Sequence, residues 1–431
     1  MEHIIYREHY MKKLLGFKDT EFVKVITGIR RSGKSTLLSM MREYLLNTGI
    51  LQNQIIEMNF ESFQYVNFSS KDVYEYVKER HINKKMYLFF DEVQKIPEWQ
   101  QAINSFRVDF DCDIYITGSN AFLLSSELST YLSGRYVEIK VYPLSFREFL
   151  DFNEITLEQK ETKLGFQRLA RDKEGDSYSL HDLFIQYIRF GGMPSITEVG
   201  FDIEKVSTVL DGIYSAVVVR DILENRKLIS ARAVTDPLLL RKVVMFLADN
   251  VGNSTSATNM SNALMNEGLV KNYNKPAVQT VQSYIEALCA SYIFYEIKRF
   301  DIKGKQYLRT LGKYYIVDTG LRNYLLGFRD GDRGHILENI IYFELLRRGY
   351  SVSVGKIKNY EIDFLASKVD ERKYIQVSES ITNPETRERE LKPLLLLDDN
   401  YEKMIITSDK DMFQEEKGIK IIQAIDFLLQ E

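Results

Sequence analysis

The stretch Gly28-Ile29-Arg30-Arg31-Ser32-Gly33-Lys34-Ser35-Thr36 constrains this chain more than any other, because it joins the apolar run Phe22–Thr27 to a helix-like segment beginning Leu37-Leu38-Ser39-Met40. Its spacing is that of a phosphate-binding loop, G-x-x-x-x-G-K-[ST]. A phosphate chain carries several negative charges, which backbone N–H groups can surround closely only where glycine leaves room. Lys34 adds a full positive charge at the outer phosphates and Ser35 offers a hydroxyl to Mg²⁺. The amino end of the following helix adds its partial positive charge. A glycine-bearing turn matches four fixed positions by accident in some long chains, but the strand–loop–helix setting favours the functional reading.

The segments around the loop alternate between strand and helix patterns. Residues 1–20 carry a helical pattern with Tyr10, Leu14 and Leu15, Gln54–Phe60 reads as a strand, and Lys71–Arg80 returns to helical spacing. Such alternation predicts a parallel sheet covered on both faces. Met86-Tyr87-Leu88-Phe89-Phe90 is a continuously apolar strand ending in Asp91-Glu92. Ligands of open α/β sheets sit beyond the carboxyl ends of the strands, so both acids are expected beside the loop. There Asp91 would hold Mg²⁺ through water and Glu92 would polarise an attacking water. The strand Cys112–Gly118 ends in Ser119-Asn120, and Asn120 has two open roles, positioning water near the terminal phosphate or capping a helix at Ala121.

Together with Arg135 just before the strand Tyr136–Val141, these motifs resemble an AAA+ ATPase core over residues 22–146. The resemblance implies ATP and Mg²⁺ as ligands, a sensor at Ser119-Asn120, and an arginine at position 135 that reaches the nucleotide of a neighbouring subunit in a homo-oligomer. A surface or ion-paired arginine is the competing reading of Arg135.

Length and charge bound the rest. At 431 residues the chain exceeds one ordinary core. Its formal net charge of −4 gives no global nucleic-acid footprint, so such binding would need a local patch. Cys112 and Cys289 lie in separate apolar segments, as packed thiols of a reducing compartment do. The polar start Met1–Glu8 is unlike a secretory signal and no apolar run approaches the ~20 residues of a bilayer span, which predicts a soluble, cytoplasmic protein without a membrane partner. Five scattered histidines show no metal-ligand spacing.

Beyond the core, residues 151–180 are polar and read as a solvated helix and a loop. Helical spacing from Leu183 to Ile188 stops at Gly191-Gly192-Met193-Pro194. This break resembles the Gly-x-Pro element of signalling ATPases, in which the proline lies against adenine, so Pro194 joins the expected nucleotide contacts. From about residue 235, three helices and then Tyr292–Ile297 paired with Gln306–Leu311 follow a winged-helix plan. The basic hairpin Lys298–Lys313, with Arg299, Lys303, Lys305 and Arg309, would contact DNA phosphates. Lys275, Gln279, Thr280, Gln282 and Ser283 offer no arginine for reading guanine, so a packing or protein-contact role stands beside the DNA one.

The last segment places a helix at His335–Leu346 and strands at Ser351–Val354, Glu361–Leu365 and Lys373–Ser378, an order resembling the PD-(D/E)XK restriction-endonuclease-like fold. In active members a helix glutamate, a strand aspartate and an E-x-K bind divalent metal and activate water. Glu338 and Asp363 match the first two, while Gln376-Val377-Ser378 replaces the third and loses its lysine. That loss points to a degenerate domain without nuclease activity. Arg387-Glu388-Arg389-Glu390 reads as a solvated helix face.

The chain as a whole resembles bacterial and archaeal predicted ATPases. The expected architecture is an AAA+ core (1–150), a helical lid or linker (151–234), a winged helix (235–330) and a nuclease-like α/β domain (331–431). Hydrolysis of ATP would move the other domains, as a regulatory switch acting on a protein client or as a DNA-linked machine. The alternatives are an ATP-gated nuclease and a non-hydrolysing binding module.

Overall fold

Five short apolar stretches of the first unit pair side by side in the computed structural model: β1 (Val23–Thr27), β2 (Ile55–Asn59), β3 (Met86–Asp91), β4 (Cys112–Gly118) and β5 (Tyr136–Lys140). All pairings are parallel, in the order β2-β3-β4-β1-β5. The described residues are 5–119, 132, 134–162, 165–218, 222, 236–266, 276–307, 312–410 and 414–430. They divide into two units, 1–142 with 290–292, and 143–289 with 293–431.

Among the described residues, α1 (Glu8–Gly16), α2 (Lys34–Asn47), α3 (Ser70–Arg80) and α4 (Trp99–Asp109) cover the first sheet. Val73 and Val77 of α3 and Ile103 and Phe106 of α4 pack on one face with Phe90. Tyr10 and Leu14 of α1 and Leu37 and Met41 of α2 pack on the other with Phe89. Strand alternation explains the split, since Phe90 stacks on Phe106 and its neighbour Phe89 on Tyr115. All six residues of β3 are buried, as expected for a strand roofed on both sides, and each such ring contributes about 1.5–3 kcal/mol.

In the second unit α5 (Phe146–Phe152) leads into β6 (Thr156–Thr162), β7 (Gly165–Arg171) and β8 (Ser177–Tyr178), an antiparallel sheet. This corrects the expected helix and loop over 151–180, and with it the purely helical lid. The stretch carries no local apolar period, and its backbone partner lies in another segment, as in the pairing of Glu158 with Leu169. Helices α6 (Leu180–Phe190), α7 (Pro194–Val199) and α8 (Ile203–Ser215) follow.

Next come α9 (Pro237–Asp249), β9 (Ser254–Thr255), α10 (Ala257–Asn266), α11 (Val278–Ala290), β10 (Phe294–Ile297), β11 (Arg299–Asp301), β12 (Gln306–Tyr307) and β13 (Gly312–Ile316). The expected hairpin is redrawn here. β10 pairs with β13, from Phe294↔Ile316 to Ile297↔Lys313, and β13 also pairs with β9. The intervening β11 pairs instead with β12 and with the edge of a second sheet.

That sheet is built from β14 (Ser351–Ile357), β15 (Tyr360–Ser367), β16 (Arg372–Ser378), β17 (Glu402–Thr407), β18 (Glu415–Glu416) and β19 (Ile419–Gln423). Its order is β12-β11-β14-β15-β16-β17-β19-β18. The remaining helices of this region are α12 (Thr319–Leu326), α13 (Arg333–Arg347), α14 (Pro384–Leu395) and α15 (Ala424–Leu429). Among the described residues no helix is long and apolar enough to cross a membrane.

Candidate functional site

Parallel pairing brings the carboxyl ends of β1, β3 and β4 to one edge, with β4 between the other two. The glycine loop after β1 needs its glycines. Gly28 has φ +138°, and a Cβ there would stand 2.1 Å from the Val141 carbonyl oxygen. Gly33 precedes α2 at φ +94°. Lys34 is buried, and its ammonium donates to the Gly28 and Ile29 carbonyls at 3.0 Å each. Ser35 and Thr36 are exposed at the start of α2. Arg30 reaches Glu61 at 3.5 Å, and Arg31 takes φ +61°.

One hydroxyl links Asp91, the last residue of β3, to the backbone of Glu92, which follows it. Thr117 Oγ1 donates to Asp91 Oδ1 and accepts the Glu92 N–H at 2.9 Å. Asn59, ending β2, donates to the other Asp91 oxygen at 3.2 Å. Burial pushes the Asp91 carboxyl upward, against the hydroxyls of Thr117 and Ser35 and the charge of Lys34. Glu92 sits at φ +54°, a left-handed conformation that few non-glycine residues adopt. Its Oε2 accepts from Ser119 Oγ at 3.2 Å and from the Gln94 amide.

A residue outside the sheet braces the loop. Arg7 is buried, lies 4.5 Å over the Tyr10 ring, and donates to the Ser32 carbonyl at 2.8 Å and the Tyr142 carbonyl at 3.0 Å. Thr117 and Asn59 escaped the sequence reading although each ends a strand at the predicted edge. Arg7 had no such signal, because it arrives from before α1.

The other expected residues are placed less directly. Arg135 is exposed, its backbone tied to Val23 and Leu132 at 3.0 and 2.9 Å. Asn120 lies outside the described residues, as do Lys275 and Arg309. Pro194 belongs to the second unit, at the first position of α7. Just before it, the Gly192 N–H donates to Asp318 Oδ2 at 2.7 Å. Burial raises the Asp318 carboxyl to about 6, against the N–H groups of Gly192, Leu321 and Gly320.

A second polar cluster occupies the second unit beside a cavity of about 710 Å³. Lys313 does not belong to an exposed basic wing. It is buried, with its ammonium 2.9 Å from Glu338, 2.9 Å from Glu361 and 3.3 Å from Asp363. Arg299 also turns inward, 3.5 Å from Glu361, so the wing retains Lys298, Lys303 and Lys305 as exposed cations among the described residues. The physical reason is strand alternation: Lys313 and Tyr315 share one face of β13, and Tyr315 donates to Glu338 at 2.6 Å. Glu390, expected on a solvated face, is buried and accepts from the Gln376 amide at 2.7 Å.

Residues 20–150 match a family described as an AAA domain, and residues 181–332 match a domain of unknown function. An uncharacterised protein of Haemophilus influenzae is 41% identical over 430 residues, covering 99% of both chains. An uncharacterised protein of Methanocaldococcus jannaschii is 30% identical over 413 residues, 94% of this chain and 82% of the relative. The Aeropyrum pernix ORC1 protein, solved in complex with DNA, aligns over 75% of this chain and 93% of that one at 13% identity, with a TM-score of 0.31.

Proposed function

The chain belongs to the family of these Haemophilus and Methanocaldococcus proteins, with an AAA+ superfamily domain in its amino-terminal part, and from that premise we propose that it binds ATP with Mg²⁺ and hydrolyses it. The observation that carries this reading is the strand edge where the Ser35 hydroxyl and the Lys34 charge act on the Asp91 carboxyl, with Thr117 bonded to that carboxyl and to the backbone N–H of Glu92.

In this reading the backbone amides of Gly28–Thr36 and the Lys34 ammonium receive the phosphates, the lysine exchanging two carbonyl acceptors for phosphate oxygens. The Ser35 hydroxyl and the Asp91 carboxylate are hard oxygen donors and suit Mg²⁺, which takes one or two carboxylates alongside phosphates and water. When bound, that ion neutralises charge on the phosphates. Glu92 orients the attacking water and accepts its proton, held in place by Ser119 and Gln94. Asn120 contributes a sensor, Pro194 an adenine contact, and Arg135 acts across a subunit boundary.

The hydrolysis cycle moves three further parts: a lid (151–234), a winged helix (235–330) and a nuclease-like domain (331–431). The winged-helix reading is supported by the order α9-β9-α10-α11-β10-β13 and by the pairing of β13 with both β9 and β10. Its exposed Lys298, Lys303 and Lys305 would meet DNA phosphates or an acidic protein client.

Steady-state phosphate release by the full chain, with and without DNA, tests the proposal. Release that Lys34→Ala and Glu92→Gln leave unchanged would sink it. Stimulation by DNA favours nucleic-acid work, and its absence a switch acting on protein. Recovery of activity on mixing Arg135→Ala with Lys34→Ala subunits would place the arginine in trans.

A further inference from the structure

The donors around Asp363 fail the test for a metal that the PD-(D/E)XK resemblance would put there. Glu338 Oε1 already accepts from Lys313 at 2.9 Å and Tyr315 at 2.6 Å. Asp363 Oδ1 faces Lys313 at 3.3 Å, and Asp363 Oδ2 accepts the Val377 N–H at 3.0 Å. Gln376 Oε1, at the third position of that pattern, accepts the Asp363 N–H at 2.8 Å, and its amide donates to Glu390. Glu361 completes the ring around the ammonium at 2.9 Å. The three carboxylates thus converge at hydrogen-bond distance on an ammonium, which fills the position between them.

We infer that the Lys313 ammonium is this cluster's permanent cation, standing where a nuclease of this outline would hold its divalent ion. The cluster is then a metal-free joint fastening β13 to α13 and β15. Burial alone would depress the Lys313 ammonium, but Glu338, Asp363 and Glu361 together push it well above the ordinary lysine value, so it stays charged across the whole working range. Strand alternation on β13 delivers Lys313 and Tyr315 together to Glu338, so the joint needs no ligand to assemble. Removing the lysine side chain leaves three carboxylates around a vacated position, which is what a hard divalent cation binds. The inference is independent of the ATP site.

Mn²⁺ is the probe, with the full chain, no nucleotide present, and thermal unfolding and paramagnetic line broadening as readouts. Wild type and Asp363→Asn are expected to respond identically to Mn²⁺. Lys313→Ala is expected to unfold several degrees lower and to regain most of that loss with Mn²⁺, and Lys313→Ala/Asp363→Asn is expected not to regain it. Lys313→Gln, which keeps a long polar side chain, gives the same comparison if the alanine variant does not fold. Mn²⁺ binding by the wild type that Asp363→Asn abolishes would overturn the inference and return Lys313 to the role of a nuclease lysine. Absence of Mn²⁺ rescue in the lysine variants would overturn it as well.

Discussion

At the loop edge of the first unit Lys34 rests on two backbone carbonyls while Asp91 and Glu92 are held by hydroxyl and amide groups; in the second unit Lys313 rests on Glu338, Glu361 and Asp363 themselves. Both places have buried acids and a buried lysine, but they partition charge oppositely. A lysine on neutral acceptors keeps most of its attraction for an incoming anion, and acids on neutral donors keep theirs for a cation. A lysine ringed by carboxylates has spent both charges on each other. The contrast separates a place whose charges suit the ligands proposed for it from one whose charges are paired with each other.

The largest expected effect follows from that committed lysine. Lys313→Ala uncovers three acids, and breaking a buried ion pair from one side costs about 3–5 kcal/mol. Lys34→Ala removes hydrogen bonds to two carbonyls and is expected to cost about 1–2 kcal/mol. Urea denaturation of both variants measures the gap, and equal losses would erase the contrast.

Next in size is the effect on hydrolysis. Glu92→Gln keeps an oxygen for Ser119 Oγ and removes the proton acceptor, so phosphate release is expected to fall about 10²–10⁴-fold with stability nearly unchanged. Asp363→Asn is expected to leave phosphate release at the wild-type rate. A drop caused by Asp363→Asn would mean that the two places work as one.

Local chemistry made the first of these places legible. The loop, the apolar strand before Asp91 and the switch from strand to helix patterns fix a parallel sheet, and a parallel sheet fixes the edge where Asn59, Thr117 and Ser119 arrive with the acids. What was hidden depends on partners distant in sequence. Arg7 reaches Tyr142, and β7 supplies the pairing that turns a charged stretch into β6. Lys313 looked like part of a basic wing because its counter-charges lie on α13 and β15, which no neighbouring residue announces.

A third arrangement sharpens the comparison. Asp318 is a buried acid held by backbone N–H groups of Gly192 and Leu321, 2.7 and 3.0 Å away, with the Arg347 charge acting on it less than those N–H groups do. Its folded value of about 6 exceeds the ordinary 3.8, so between these pH values the folded chain holds a proton that the unfolded chain has released. Stability from this group is therefore full below pH ~4 and is lost as pH rises through 6, by about 3 kcal/mol. Denaturation of wild type and Asp318→Asn across pH 4–7 isolates it, since other acids titrate alike in both. A difference that stays flat over this window would show the N–H groups to be as effective as a cation.

The smallest effect bears on how the waiting acids are held. Thr117 donates to Asp91 and accepts from the Glu92 N–H, so Thr117→Val keeps the shape and removes both bonds. Each bond is worth about 0.5–1.5 kcal/mol, and the acids keep their partners in Asn59, Ser119 and Gln94. Turnover is expected to fall roughly 10-fold with KM for ATP little changed, because the loop that would receive the phosphates is untouched. Thr117→Ser restores the hydroxyl and should recover most of the rate. If the serine variant is as slow as valine, the hydroxyl positions the acids only with the methyl packed beside it; a valine variant as fast as wild type would show that the acids at the loop edge are positioned by the sheet alone.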